Sequence, residues 1–252
     1  MIGIIGGSGA YAIPDMQVIR ENSIKTTFGN PSAKLLFGQL DESNIIFLPR
    51  HGSGHKIPPH AINYRANIRA LYDCGAQCII SLNAVGAISA ELKAPDLCIP
   101  EQLIDYTYGR DHTFFDGSNG VVEHIDFTHP YDENVRQALL LAASKLNLRF
   151  RGNGVYAVTQ GPRLESASEV NRLERDGADI VGMTGMPEAA LARELGIPYA
   201  SICIIVNPAA GRSQEPITMS AILEHLDNGV ANALTVIRSA LPILSRHQLA
   251  KH

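Results

Sequence analysis

Short runs of β-forming apolar residues recur along this chain, and stretches with helical spacing separate several of them. The runs fall at 2–5, 34–39, 44–48, 78–83, 97–99, 154–158, 180–182 and 200–206. Between them, 61–72 and 133–146 place apolar residues at helical intervals, the first stopped by Cys74-Gly75. Segments 166–176 and 187–195 read as two further helices, the second with Pro187 at its start and Gly196 past its end. A long closing helix is expected over 219–241, with a break near Asn228-Gly229. Strands alternating with helices need cover on both faces. The pattern therefore predicts an α/β fold: a single domain spanning 1–252, its central mixed β-sheet flanked by helices on both faces.

Composition narrows the function classes. The net charge is −4 and no Lys/Arg run stands out, so no nucleic-acid partner is expected. No stretch of about 18 apolar residues exists, and no basic segment precedes an apolar one at the N-terminus. The expectation is a cytoplasmic protein with no membrane partner. Cys74 and Cys78 are spaced C-x₃-C, but Cys98 and Cys203 do not supply the second pair of a zinc site.

The first run ends in "GGSG", a turn that brings backbone N–H groups together. Its glycines miss the G-x-G-x-x-G spacing of dinucleotide sites, and no G-K-[ST] exists anywhere in the chain. What remains is a small oxyanion held by backbone N–H groups and the Ser8 hydroxyl, or a plain tight turn. "LPRHGSGHKIPPH" favours the oxyanion. Arg50 and His51 follow an apolar run and so lie at a strand's carboxyl end, with a guanidinium fork and an imidazole suited to phosphate oxygens. His51, His55 and His60 have spacing suggestive of metal, but no nearby carboxylate completes a set, and no metal is expected. The segment between Glu101 and Pro130 is long and dense in aromatics, His and Asp, as functional or interface loops are.

"IGIIGGSG", "LPRHG", "NAVGAIS", "GPRLES" and "GADIVGMTGMPEAALARELGIPYASI" together resemble the trimeric purine nucleoside phosphorylase superfamily, and within it the methylthioadenosine phosphorylase branch. The resemblance implies phosphorolysis of a purine nucleoside by a homotrimer, with inorganic phosphate as co-substrate and no cofactor. It implies a phosphate site at Ser8, Arg50, His51, the backbone of Ala84 and Thr184, with Met183 against the ribose. Arg50, His51 and Asn207 are the implied catalytic residues.

Departures from that branch point to the base. Adenine-specific members carry an Asp-x-Asp pair where this chain has Asn207 and Ala209. An amide can donate to a purine O6 or N7, which a carboxylate cannot. Leu164 and Glu165 replace the usual Phe and Ser or Thr, and Glu165 matches the acid that accepts the N1 proton in inosine/guanosine phosphorylases. Glu165 is equally placed to be a surface carboxylate at a helix start. At the 5′ end, Met219 and Leu223 fall where inosine phosphorylases carry a His, with His55 bordering the same pocket. Apolar side chains there favour a methylthio group, although both are also ordinary core positions of an amphipathic helix.

The expected reaction is phosphorolysis of S-methyl-5′-thioinosine. Inosine/guanosine phosphorolysis, methylthioadenosine phosphorolysis and non-catalytic nucleoside binding are the alternatives. Phe114 and Phe115, in the loop His112–Asn119, are expected to reach a neighbouring chain's pocket.

Overall fold

The computed structural model describes residues 1–117, 120–214 and 217–249. In chain order they form β1 (Ile2–Gly6), β2 (Gln17–Asn22), β3 (Leu35–Leu40), β4 (Ser43–Pro49), α1 (Tyr64–Asp73) and β5 (Cys78–Ala87). Next come β6 (Leu97–Cys98), β7 (Gln102–Asp105), α2 (Glu133–Lys145), β8 (Phe150–Arg151) and β9 (Val155–Val158). The last third holds α3 (Ala167–Arg175), β10 (Ile180–Gly182), α4 (Glu188–Glu194), β11 (Tyr199–Pro208) and α5 (Met219–Leu249).

Local signals set several helix starts. Asn63 caps α1 by accepting from the Ala66 N–H, Asp132 caps α2 through Val135, and Ser166 with Glu169 forms a reciprocal capping box on α3. The strands join one mixed sheet. β1 pairs in parallel with β4 and β5, and β5 with β11, while β2, β3 and β4 form an antiparallel run. Helices cover both faces, as the alternating pattern requires. α2 and α5 bury Leu139 and Val236 against Ile4, Ile80 and Ile202 on one side. α1 and α4 bury Ile68 and Leu191 against Ile5, Ile79 and Ile205 on the other.

Three strands were not expected. β2 lies at the sheet's edge with Val18 and Ile19 exposed, so it lacks the buried apolar face that marks a strand in sequence. β7 falls inside the segment read as loop, and β8 is only two residues long. The break expected at Asn228-Gly229 is also absent, for α5 runs straight through it. Gly229 is there for close packing, since a Cβ would fall 2.2 Å from Ile204 Cγ2 on β11. Among the described residues no helix is long and apolar enough to cross a membrane.

Candidate active site

The sheet divides along one edge of β5. Cys78–Ser81 pair with β1, whereas Gly86 and Ala87 on the same side pair with β10. From Ile79 onward the opposite side is taken by β11. Residues 82–85 therefore face a gap where β1 and β10 part. A change of strand neighbours at carboxyl ends is where open α/β sheets bind ligands.

Arg50, directly after β4, fills the floor of that gap. Its side chain is wholly buried, donating from Nη1 to the Leu82 carbonyl at 2.8 Å and from Nη2 to Ser81 Oγ at 2.5 Å. Nε and Nη2 fork onto the equally buried Glu188 of α4, at 2.6 and 2.9 Å. Burial alone would weaken the guanidinium's hold on its proton. The Glu188 carboxylate more than offsets this and raises its pKa. Gly7 lies directly above, where a Cβ would meet the Leu82 oxygen at 2.4 Å and Arg50 Nη1 at 2.8 Å. Only glycine lets the opening loop close over this cation.

His51 sits 2.8 Å from the Ile57 carbonyl through Nδ1. A carbonyl can only accept, so Nδ1 carries the hydrogen and Nε2 keeps a lone pair. Burial, then the Arg50 charge, pushes the ring's pKa down to about 4. The neutral imidazole thus offers an acceptor for a protonated phosphate oxygen. Thr184 Oγ1 donates to Asn83 Oδ1 at 2.9 Å, and Asn83 Nδ2 donates to Ser201 Oγ at 2.5 Å. Asn83 was missed as a site residue. Its signal was a lone amide inside the apolar run "CIISLNAV".

Ser8, Arg50, His51, Ala84 and Thr184 line one end of a cavity of about 280 Å³. Met183 follows along its wall, packed so tightly on Gly161 that a Cβ there would fall 2.3 Å from the Met183 sulfur. At φ +60° Gly161 holds a backbone conformation that side chains disfavour, so two constraints select glycine. Leu164, Glu165, Asn207 and Ala209 line the same cavity. Glu165 accepts from Thr159 Oγ1 at 2.5 Å through one carboxylate oxygen, and Asn207 Nδ2 donates to the Pro208 carbonyl at 2.5 Å. Between Ile205 and Asn207 β11 carries a bulge: these residues face Val85 and Gly86 in turn, leaving Val206 unpaired.

Met219 and His55 reach the cavity, the His55 ring 4.3 Å from that of His51 and 6.0 Å edge-on from Tyr11. Leu223 does not. It is exposed on α5, and the cavity is lined instead by Ile222, three residues after Met219, together with Ile217. Ile222 and Leu223 flank Met219 on either side of the helix face, about 100° apart, and Ile222 is the one on the cavity side. The aromatic loop also departs from expectation. Phe114 is buried against Phe28 of its own chain at 4.9 Å, its N–H bonds Glu194, and Phe115 packs on the same core. Arg65 anchors the loop through Asp111 and Asp116. These phenylalanines therefore serve their own subunit's core; Ser118 and Asn119 of that loop lie outside the described residues.

Residues 1–242 match the phosphorylase superfamily. The chain belongs to that family. This phosphorylase is 46% identical over 238 residues to a probable S-methyl-5′-thioinosine phosphorylase of Pseudomonas syringae pv. tomato, covering 94% of this chain and 97% of the relative. It is 42% identical over 252 residues to the 6-oxopurine nucleoside phosphorylase of Pyrococcus furiosus, covering 98% and 94%. Its fold superimposes on methylthioadenosine phosphorylase from Schistosoma mansoni in complex with adenine, with a TM-score of 0.93 at 31% identity, covering 97% and 92%.

Proposed function

We propose that this phosphorylase cleaves S-methyl-5′-thioinosine with inorganic phosphate, giving hypoxanthine and 5-methylthioribose 1-phosphate, in purine and methionine salvage. The observation that carries the reading is the pairing of Glu165 with Asn207 in the cavity that also holds Ser8, His51 and Thr184. A 6-oxopurine presents an N1–H donor beside an O6 acceptor. Glu165 supplies the acceptor and Asn207 the donor, whereas adenine shows the reverse pattern and would leave polar groups unmatched. The names of the Pseudomonas and Pyrococcus relatives point the same way.

In the reaction a phosphate oxygen attacks the anomeric carbon as the bond to purine N9 breaks and its electron pair passes into the base. Ser8, His51 and the Thr184 hydroxyl hold the nucleophile on one side of the sugar. Arg50, already paired with Glu188, fixes the backbone around it. The Asn207 amide donates to the departing base at O6 or N7, where negative charge grows. The chemistry needs no metal or other cofactor, because positioning and electrostatics carry it. At the 5′ end Ile217, Met219 and Ile222 present carbon and sulfur to the methylthio group. Inosine/guanosine phosphorolysis is the second reading, favoured by the 67% exposure of Met219, which leaves that end open to a hydroxyl. The working unit is a cytoplasmic homotrimer.

Initial rates of base release with methylthioinosine, inosine, guanosine and methylthioadenosine, with and without phosphate, test the proposal. Phosphate-dependent hypoxanthine release with kcat/KM highest for methylthioinosine is expected. A preference for methylthioadenosine overturns the base assignment, and release without phosphate overturns phosphorolysis.

A further inference from the structure

Arg110 comes from the aromatic loop, yet it is buried, with a residual exposure of 7%. Among the described residues it forms an ion pair with no carboxylate; its donors go to oxygens of three separate segments. Nη1 meets the carbonyls of Met183 at 2.9 Å and Met186 at 2.5 Å. Nη2 meets those of Gln160 at 2.8 Å and Thr159 at 3.3 Å, and Nε meets Gln160 Oε1 at 3.1 Å. Nη1 also donates to the Tyr64 hydroxyl at 3.2 Å, which in turn donates to the Pro59 carbonyl on the cavity wall.

These segments carry different parts of the substrate in the proposed function, on which this inference rests. Thr159 and Gln160 lead into Leu164 and Glu165 at the base; Met183 precedes Thr184 at the phosphate. We infer that Arg110 is a positioning residue: its fork holds the base-binding loop and the phosphate-binding segment at a fixed separation, so that the leaving base and the attacking phosphate are aligned in one complex. A buried cation spending its donors on backbone carbonyls is costly to desolvate. The planar fork spans both segments at once, which the compact ammonium of a lysine cannot do. Each half-site keeps its own side chains without Arg110. What is lost is their alignment, and a displacement of about 1 Å in such an arrangement costs roughly 100-fold in rate.

The test uses the full-length protein with Arg110→Lys and Arg110→Ala, read by kcat, by KM for nucleoside and phosphate, by the separate affinities for hypoxanthine and for phosphate, and by thermal melting. The expected result is a fall of about 100-fold in kcat, with each single-ligand affinity within about threefold of the unsubstituted protein. Millimolar guanidinium added to Arg110→Ala should restore a part of kcat. Full kcat in Arg110→Lys overturns the inference. So does a loss of both affinities in step with melting temperature and without guanidinium rescue, which would mark a purely structural cation. Should Arg110→Ala fail to fold, Arg110→Lys alone decides on the same kcat criterion. The unsubstituted protein separates the two readings: no phosphate-dependent base release there sinks the proposed function, whereas release that survives both substitutions sinks only the role of Arg110.

Discussion

At the scale of single residues, the proposed base choice can be tested at Asn207 and Ala209. Replacing Asn207 by Asp places a carboxylate against O6, and Asn207→Asp with Ala209→Asp restores the pair that adenine-specific relatives carry. The double variant is expected to turn the preference from methylthioinosine to methylthioadenosine by at least about tenfold in kcat/KM, each mismatched polar group being worth about 1–3 kcal/mol. Unchanged selectivity would remove this segment from base recognition. Arg50 behaves differently because its partner is buried with it. Arg50→Ala strands the Glu188 carboxylate in the core and should lower stability by about 3–5 kcal/mol in urea unfolding. Arg50→Met combined with Glu188→Gln should recover at least half of that loss. A stable, unaltered Arg50→Ala protein would show that the pair carries little. His51 adds a pH signature. Its folded pKa of about 4 lies below the ordinary value of 6.5, so the fold favours the neutral ring. That contribution is intact above about pH 6.5, declines as the unfolded chain takes up a proton, and is gone by about pH 4. Between pH 7.5 and 4.5, without phosphate, the unsubstituted protein should lose about 2–3 kcal/mol more than His51→Asn. Equal losses would mean that the ring titrates normally in the fold.

At the scale of elements, the alternation of strands and helices was legible because buried strands must be apolar and helices facing them must repeat every three to four residues. Cys78–Ala87 and Tyr199–Pro208 announce themselves this way. Gln17–Asn22 does not, since an exposed edge strand is under no such demand. Asn228-Gly229 misled for a physical reason: glycine lowers helix propensity, but here the missing Cβ admits β11. The two effects predict opposite outcomes for Gly229→Ala. Propensity alone would stabilise by about 1 kcal/mol, whereas crowding against Ile204 costs about 1–3 kcal/mol. A lowered denaturation midpoint is expected, and a raised one would show that β11 can yield. Of the candidate site, the motif residues converge on one cavity. Ile217 and Ile222 escaped because nothing in their local pattern separates a site residue from a core or loop residue. Leu223 was misplaced because a helical face cannot be assigned to within one residue without its packing partner.

At the scale of the whole molecule, the cavity is open where the sugar's 5′ end would lie. Met219 there is 67% exposed, and Leu164, toward the base, is 46% exposed. Apolar side chains around a binding site are what a neighbouring subunit would cover. Sedimentation velocity is expected to give a trimer, and diluting it to monomer should raise the nucleoside KM before the fold is lost. A fully active monomer would mean that the rim needs no cover. Phe114 is engaged within its own chain, and Phe115 packs in part on the same core.

The bulge in β11 carries a further consequence for how such a chain can diverge. With Val206 unpaired, Asn207 and Pro208 stay in register with Gly86 and Ala87, and Val206, Asn207, Ala209 and Ala210 all line the cavity. Inserting or deleting a residue there would shift that register and carry Asn207 away from its place opposite Gly86. Under the proposed base assignment, selectivity can drift by replacing letters at Asn207 and Ala209, while the spelling length between the strand and its loop stays locked.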